Sequence, residues 1–158
     1  MKKTMLALMA IMLLLSTVQS INFVSSNFFP AIPPINSVYI QAGGNLEPST
    51  APITIENNLY TLTGDLTNTT VKIEHDDIIL DGSGYSIVGN DIQFHSGVDI
   101  SNRTGITIRN LVIKQFGTGI LMDNASKNTL KENKITTYQT FRLDSADNNI
   151  IACNRAVN

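Results

Sequence analysis

The sequence predicts an all-β fold, a parallel β-solenoid of about four coils behind an N-terminal β cap. Three observations predict it. The first is a repeat. Ser96–Phe116, Thr118–Tyr138 and Gln139–Asn158 align so that Val98, Ile120 and Phe141 share a column, as do Ile100, Met122 and Leu143, and Ile108, Leu130 and Ile151. The steps are 22 and then 21 residues, a period at which each unit is too small to fold alone and must stack on its neighbours. The second is a period of two within each unit, as in Val98-x-Ile100, Ile106-x-Ile108 and Leu111-x-Ile113. This is the alternation of strands, whereas a helix would place apolar residues three and four apart. The third is a pair of polar columns at inward positions. Asn128 stands over Asn149, and Asn133 over Asn154, where the preceding unit has Ile106 and Leu111. A buried Asn without partners costs about 1–3 kcal/mol, so such columns predict amides bonded from coil to coil.

Composition narrows the function. The 158 residues suffice for one domain, with a formal net charge of −2 that becomes −4 if a leader carrying Lys2 and Lys3 is removed. No Lys or Arg occurs between Ile21 and Val71. No nucleic-acid partner is expected, nor electrostatic binding to anionic lipid. Cys153 is the only cysteine, which excludes an internal disulfide.

The segments follow in order. Residues 1–20 read as a secretory signal: basic Lys2 and Lys3, an apolar core over Met5–Leu15, then Val18 and Ser20 before a cleavage site. The core is shorter than the ~20 residues of a spanning helix; an uncleaved anchor is the alternative, and no membrane span is expected after it. Residues 21–37 read as a linker, where Pro30, Pro33 and Pro34 exclude a regular strand or helix. Residues 38–70 read as the cap that a solenoid's open edge requires. Its expected strands are Val38–Gln41, Ile53–Glu56 and Leu59–Thr63, with a hairpin at Asn57-Asn58. Residues 71–158 are the coils. Ile78 and Leu80 match Ile106 and Ile108 at a step of 28, so six extra residues are expected in a projecting loop at Asn90–His95. No covering element follows the last repeat, which predicts either further coils or end-to-end self-association.

The stretches SVYIQAGGNLEPSTAPI, NLYTLTGDL, DDIILDGSGYSIVG, GITIRNLVIKQFGTGILM and KNTLKENKI resemble those of secreted right-handed parallel β-helix repeat proteins, a NosD-like group common in archaea. The likeness covers nearly all of Val38–Asn158. It implies a right-handed helix with three sheets, related in architecture to pectate lyases, and members with many more coils. It leaves the function open, because this fold carries enzymes, adhesins and binding proteins.

Three sets of residues carry candidate chemistry. The outward column Asp81, Arg109, Lys131, Ala152, with Glu132 beside it, offers a base near a basic group, as a polysaccharide lyase requires. The bland reading is a solvated charged face. Asp123 and Asp144 share a column near Asn124 and Ser145. Neighbouring strands are ~4.8 Å apart, so these carboxylates repel unless a cation lies between them, and calcium is the ion that oxygen ligands suit. No other cofactor is expected. Finally, Asn68, Asn102 and Asn124 head glycosylation sequons. The NosD resemblance implies copper, but His75 and His95 are out of register and Cys153 beside Ile151 reads as a small packed residue.

The function expected is that of a secreted or cell-surface module with a structural role or a polysaccharide- or protein-binding role. A portion of a pectate-lyase-like carbohydrate-active enzyme is the first alternative, and a NosD-like metal-binding protein the second.

Overall fold

The stack is laid down strand on strand in three sheets. A computed structural model describes residues 34–91 and 94–157. The expected signal segment and all of the linker before Pro34 lie outside them. Every regular element among the described residues is a strand. The first layer comprises β1 (Asn36–Ile40), β2 (Leu46–Glu47), β3 (Ile53–Glu56), β4 (Leu59–Leu62) and β5 (Leu66–Thr67). Four coils of three strands follow: β6 (Thr69–Ile73), β7 (Ile79–Asp81) and β8 (Ser86–Val88); β9 (Ser96–Asp99), β10 (Thr107–Arg109) and β11 (Val112–Lys114); β12 (Thr118–Asp123), β13 (Thr129–Lys131) and β14 (Lys134–Thr136); β15 (Gln139–Asp144), β16 (Ile150–Ala152) and β17 (Arg155–Ala156).

The first strand of each coil joins sheet A, the second sheet B and the third sheet C, in the orders β15-β12-β9-β6-β1-β2, β16-β13-β10-β7-β4-β3 and β17-β14-β11-β8-β5. All pairings between coils are parallel. The first layer belongs to the same stack, since β1, β4 and β5 run parallel to β6, β7 and β8. Only β2 and β3 fold back antiparallel on its outer edge. The β3–β4 hairpin turns at Asn57-Asn58 as expected, pairing Glu56 with Leu59 and Ile53 with Leu62.

Register follows the repeat columns. Ile120 pairs with Val98 and Phe141, Met122 with Leu143, and Leu130 with Ile108 and Ile151. The inward residues of the middle coils, Ile100, Ile106, Ile108, Leu111, Ile113, Ile120, Met122, Leu130 and Ile135, are fully buried. Each aliphatic side chain removed from water contributes about 1.5–3 kcal/mol. In the last described coil two of the same columns are open, with Leu143 47% and Ile151 41% exposed.

One expectation about the insertion needs correction. The six extra residues of the first full coil are not all in the loop at Asn90–His95. Leu80 pairs with Ile108 but Ile87 pairs with Ile113. Two of the six therefore lie in the turn Gly82–Tyr85, and four in the loop. The tight turn survives the insertion because Gly82 has no side chain. A Cβ there would meet the Asn110 carbonyl and Leu111 Cα at 2.5 Å.

The Asn columns bond mainly to backbone rather than to one another. Asn128 Oδ1 accepts the Ile106 N–H at 2.8 Å, and Asn149 Oδ1 accepts the Asn128 N–H at 2.8 Å. Asn133 Oδ1 accepts the Leu111 N–H at 3.1 Å while Asn133 Nδ2 donates to the Ile108 carbonyl at 3.0 Å. Each amide thus continues the interstrand hydrogen bonding around a corner, where the backbone has left the strand and its N–H would lack a partner.

Candidate functional site

The outward column of sheet B is assembled as expected: Arg109 pairs with Asp81 on one side and Lys131 on the other, and Lys131 with Ala152. The chemistry differs from that of a free base beside a free cation. Arg109 Nε donates to Asp81 Oδ2 at 2.7 Å. The other Asp81 oxygen accepts the Ser83 N–H at 2.8 Å and the Asn110 side-chain amide at 3.3 Å. Burial raises the Asp81 pKa, but these hydrogen bonds and the guanidinium charge outweigh it and hold the carboxyl below its ordinary value. Asp81 is therefore a turn-forming carboxylate with its lone pairs occupied. Glu132 is exposed in the turn after β13, at φ 58°. It shares a shallow groove of about 620 Å³ with Asp81, Ser83 and Lys134.

Asp123 and Asp144 are register partners at the ends of β12 and β15, and both are exposed. Among the described residues no group of three or more His, Cys, Asp or Glu side chains is placed to hold a metal ion. Asn124 Nδ2 donates to Asn102 Oδ1 at 3.0 Å. Both lie in left-handed turn conformations, at φ 50° and 61°, which Asn adopts more readily than most residues.

The remaining soft or imidazole donors are dispersed. His75 follows the end of β6 and His95 precedes the start of β9, so they lie at opposite ends of neighbouring sheet A strands. His75 Nδ1 is 2.8 Å from the Asp76 carbonyl. The adjoining acids are engaged too: Asp76 Oδ1 accepts the Thr104 N–H at 3.0 Å and lies 3.6 Å from Arg103. Met122 is fully buried in the core. Cys153, expected to pack, is exposed. It occupies the turn between β16 and β17 at φ 55°, the position that Asn110 and Glu132 hold in earlier coils, and a residue there points away from the core.

The sequence reading overlooked the outer face of sheet C. Lys114, Lys134 and Arg155 are exposed there, and Lys134 and Arg155 are register partners. A groove of about 730 Å³ runs beside Lys114, lined also by Val88, Asp91, Gln115, Phe116, Thr136, Thr137, Tyr138 and Val157. Tyr138 is 84% exposed at its rim. The repeat alignment puts Arg155 under Lys134, but outward positions carry no apolar periodicity that would mark them.

Residues 34–158 match the family model of NosD, described as a periplasmic copper-binding protein. The chain belongs to the NosD family. Membership implies an extracytoplasmic β-helix module, in agreement with the stacked parallel sheets. No curated protein and no solved structure matches the chain. Among the described residues of this NosD-family chain, no helix is long and apolar enough to cross a membrane. Its sequon residues differ in access. Asn102 and Asn124 are exposed, whereas Asn68 is half-buried and its Nδ2 donates to the Pro34 carbonyl at 2.9 Å.

Proposed function

We propose that this NosD-family chain is a secreted or surface-exposed binding module, whose flat outer faces hold a polysaccharide or a partner protein without performing a reaction. The observation that carries this reading is the 2.7 Å pair of Arg109 and Asp81. It takes the most lyase-like cation in the chain and commits it to holding a turn. Half-buried Lys131 and exposed Glu132 then remain as charges on neighbouring surface positions, without a buried or activated base beside them among the described residues.

Copper would enter only through the family's description. Copper sites gather His, Cys or Met side chains. Here His75 and His95 sit at opposite ends of sheet A, Met122 is enclosed and Cys153 lies on a corner of the last described coil. The described residues do not fit a copper site. Asp123 and Asp144 offer calcium two carboxylates, an accessory to the binding role and not its basis. Passage out of the cytoplasm is assigned to the signal read at residues 1–20.

The test is a survey of the purified chain on arrays of polysaccharides and extracytoplasmic proteins, alongside incubation with polyuronates followed by ultraviolet absorbance of unsaturated products. Binding without turnover is expected. Turnover that disappears in Lys131→Ala or Arg109→Ala would overturn the reading in favour of a polysaccharide lyase.

A further inference from the structure

We infer that the outer face of sheet C is the docking face, and that its ligand is an anionic polysaccharide; this rests on the binding role proposed above and names its site and ligand class. The strands of sheet C carry Lys114, Lys134 and Arg155 and no Asp or Glu. All three cations are exposed, and none is in an ion pair among the described residues, where the ion pairs are Arg103–Asp76 and Arg109–Asp81. Lys134 and Arg155 are register partners on adjacent coils, about 4.8 Å apart along the axis, and Lys114, on the coil before, pairs with Thr136 and so stands two residues farther along the same face. An oblique row of cations outside ion pairs is complementary to a linear polymer that carries a negative charge on successive units and crosses the face obliquely.

The groove beside Lys114 supplies what distinguishes a sugar from other anions. Tyr138 presents an exposed ring at the rim, an amphipathic platform for the apolar face of a pyranose. Gln115 Nε2 donates to Asp91 Oδ2 at 3.1 Å on the groove wall, which leaves an amide oxygen and a carboxylate oxygen for hydroxyl donors. Lys114 links the groove to the other two cations, because it lines the groove and lies on the face they share. Sheet B has no equivalent, since its Arg109 is held by Asp81.

The experiment is affinity electrophoresis of the full chain in gels containing polygalacturonate, neutral dextran or neither, with flotation on anionic phospholipid vesicles in parallel. Two variants are compared after their melting curves confirm folding. One is Lys114→Glu with Lys134→Glu and Arg155→Glu. The other is Lys127→Glu with Arg142→Glu, which reverses exposed cations elsewhere. Retardation by polygalacturonate that weakens with salt is expected. The triple variant should lose on the order of a hundredfold in affinity, at about fivefold for each cation, while the control variant keeps it. Tyr138→Ala should weaken retardation at high salt as well. Equal losses in both variants, or none in the triple variant, would overturn the proposal. So would vesicle binding that depends on the three cations without retention by polygalacturonate. A chain that binds another array member but not polygalacturonate overturns this inference and leaves the binding role standing. A chain that binds nothing overturns both.

Discussion

Asn154 Oδ1 accepts from Asn133 twice, from its backbone N–H at 3.0 Å and from its side-chain amide at 2.9 Å. Asn133 in turn is 1% exposed and serves Leu111 and Ile108 in the coil before. One column of amides therefore satisfies the backbone at the corner between sheets B and C through three coils. Asn133→Ala leaves the Leu111 N–H and the Ile108 carbonyl without these partners. It should cost about 1–3 kcal/mol, chiefly from the Leu111 N–H, since the Ile108 carbonyl also lies in the strand ladder with β13. Asn154→Ala, at a less buried position, should cost less. Urea denaturation of both variants checks the order; equal small losses would contradict it.

The Asp81 carboxyl supplies a pH dependence. Its folded pKa lies below the ordinary value of 3.8. The stability it contributes is therefore fully present above about pH 4–5 and is lost as the pH falls through the lower folded value. Asp81→Asn removes that contribution. The gap between wild type and variant in urea midpoints should be widest at neutral pH and narrow below about pH 4. A gap that stays constant into acid would show that the ion pair and its hydrogen bonds do not favour the charged form.

Glu132 holds a left-handed turn at φ 58°, where Asn110 stands one coil earlier at φ 52°. Glutamate is strained there by Cβ contacts that Asn tolerates better. Glu132→Asn should raise stability by about 0.5–1 kcal/mol and leave ligand binding on sheet C intact. A loss of stability would mean that the carboxylate makes a contact of its own.

Asp123 and Asp144 face solvent as register partners. In the presence of a chelator, Asp144→Asn should be neutral or stabilising by about 0.2–1 kcal/mol, because like charges across a strand pair repel. Calcium should raise the wild-type melting temperature little, two carboxylates being too few for a tight site. A large calcium-dependent rise that Asp144→Asn abolishes would establish a bound ion.

The fold was legible because burial repeats. Ile108, Leu130 and Ile151 recur at steps of 22 and 21 residues, and a one-residue slip in strand pairing would turn each outward, so the inward columns define the register almost by themselves. The corner Asn residues were legible for the same reason, though not their partners. A side-chain amide reaches either another amide or a backbone group, and spacing alone does not choose between them. The placement of the six extra residues was less legible, since an insertion shared between the Gly82–Tyr85 turn and a loop preserves the same total step. Cys153 was misread because it follows inward Ile151 in the sequence, while its left-handed backbone turns it outward. The site was least legible of all. Outward positions bear no periodic constraint, and Lys114 stands two residues out of register with Lys134 and Arg155, so only the folded sheet C brings the three onto one face.

Amides at the corners hold the coils together by bonding as strands do. Residue-resolved hydrogen exchange on the full chain measures this directly. The N–H groups of Ile106, Leu111, Asn128 and Asn133 lie outside strands but donate to Asn side chains. They should be as protected as the strand amide of Ile108, and Asn133→Ala should release Leu111 selectively. If these four exchange at the rate of open turns while the strand amides remain protected, the polar columns do not hold the coils together and the stack described here is wrong at its corners.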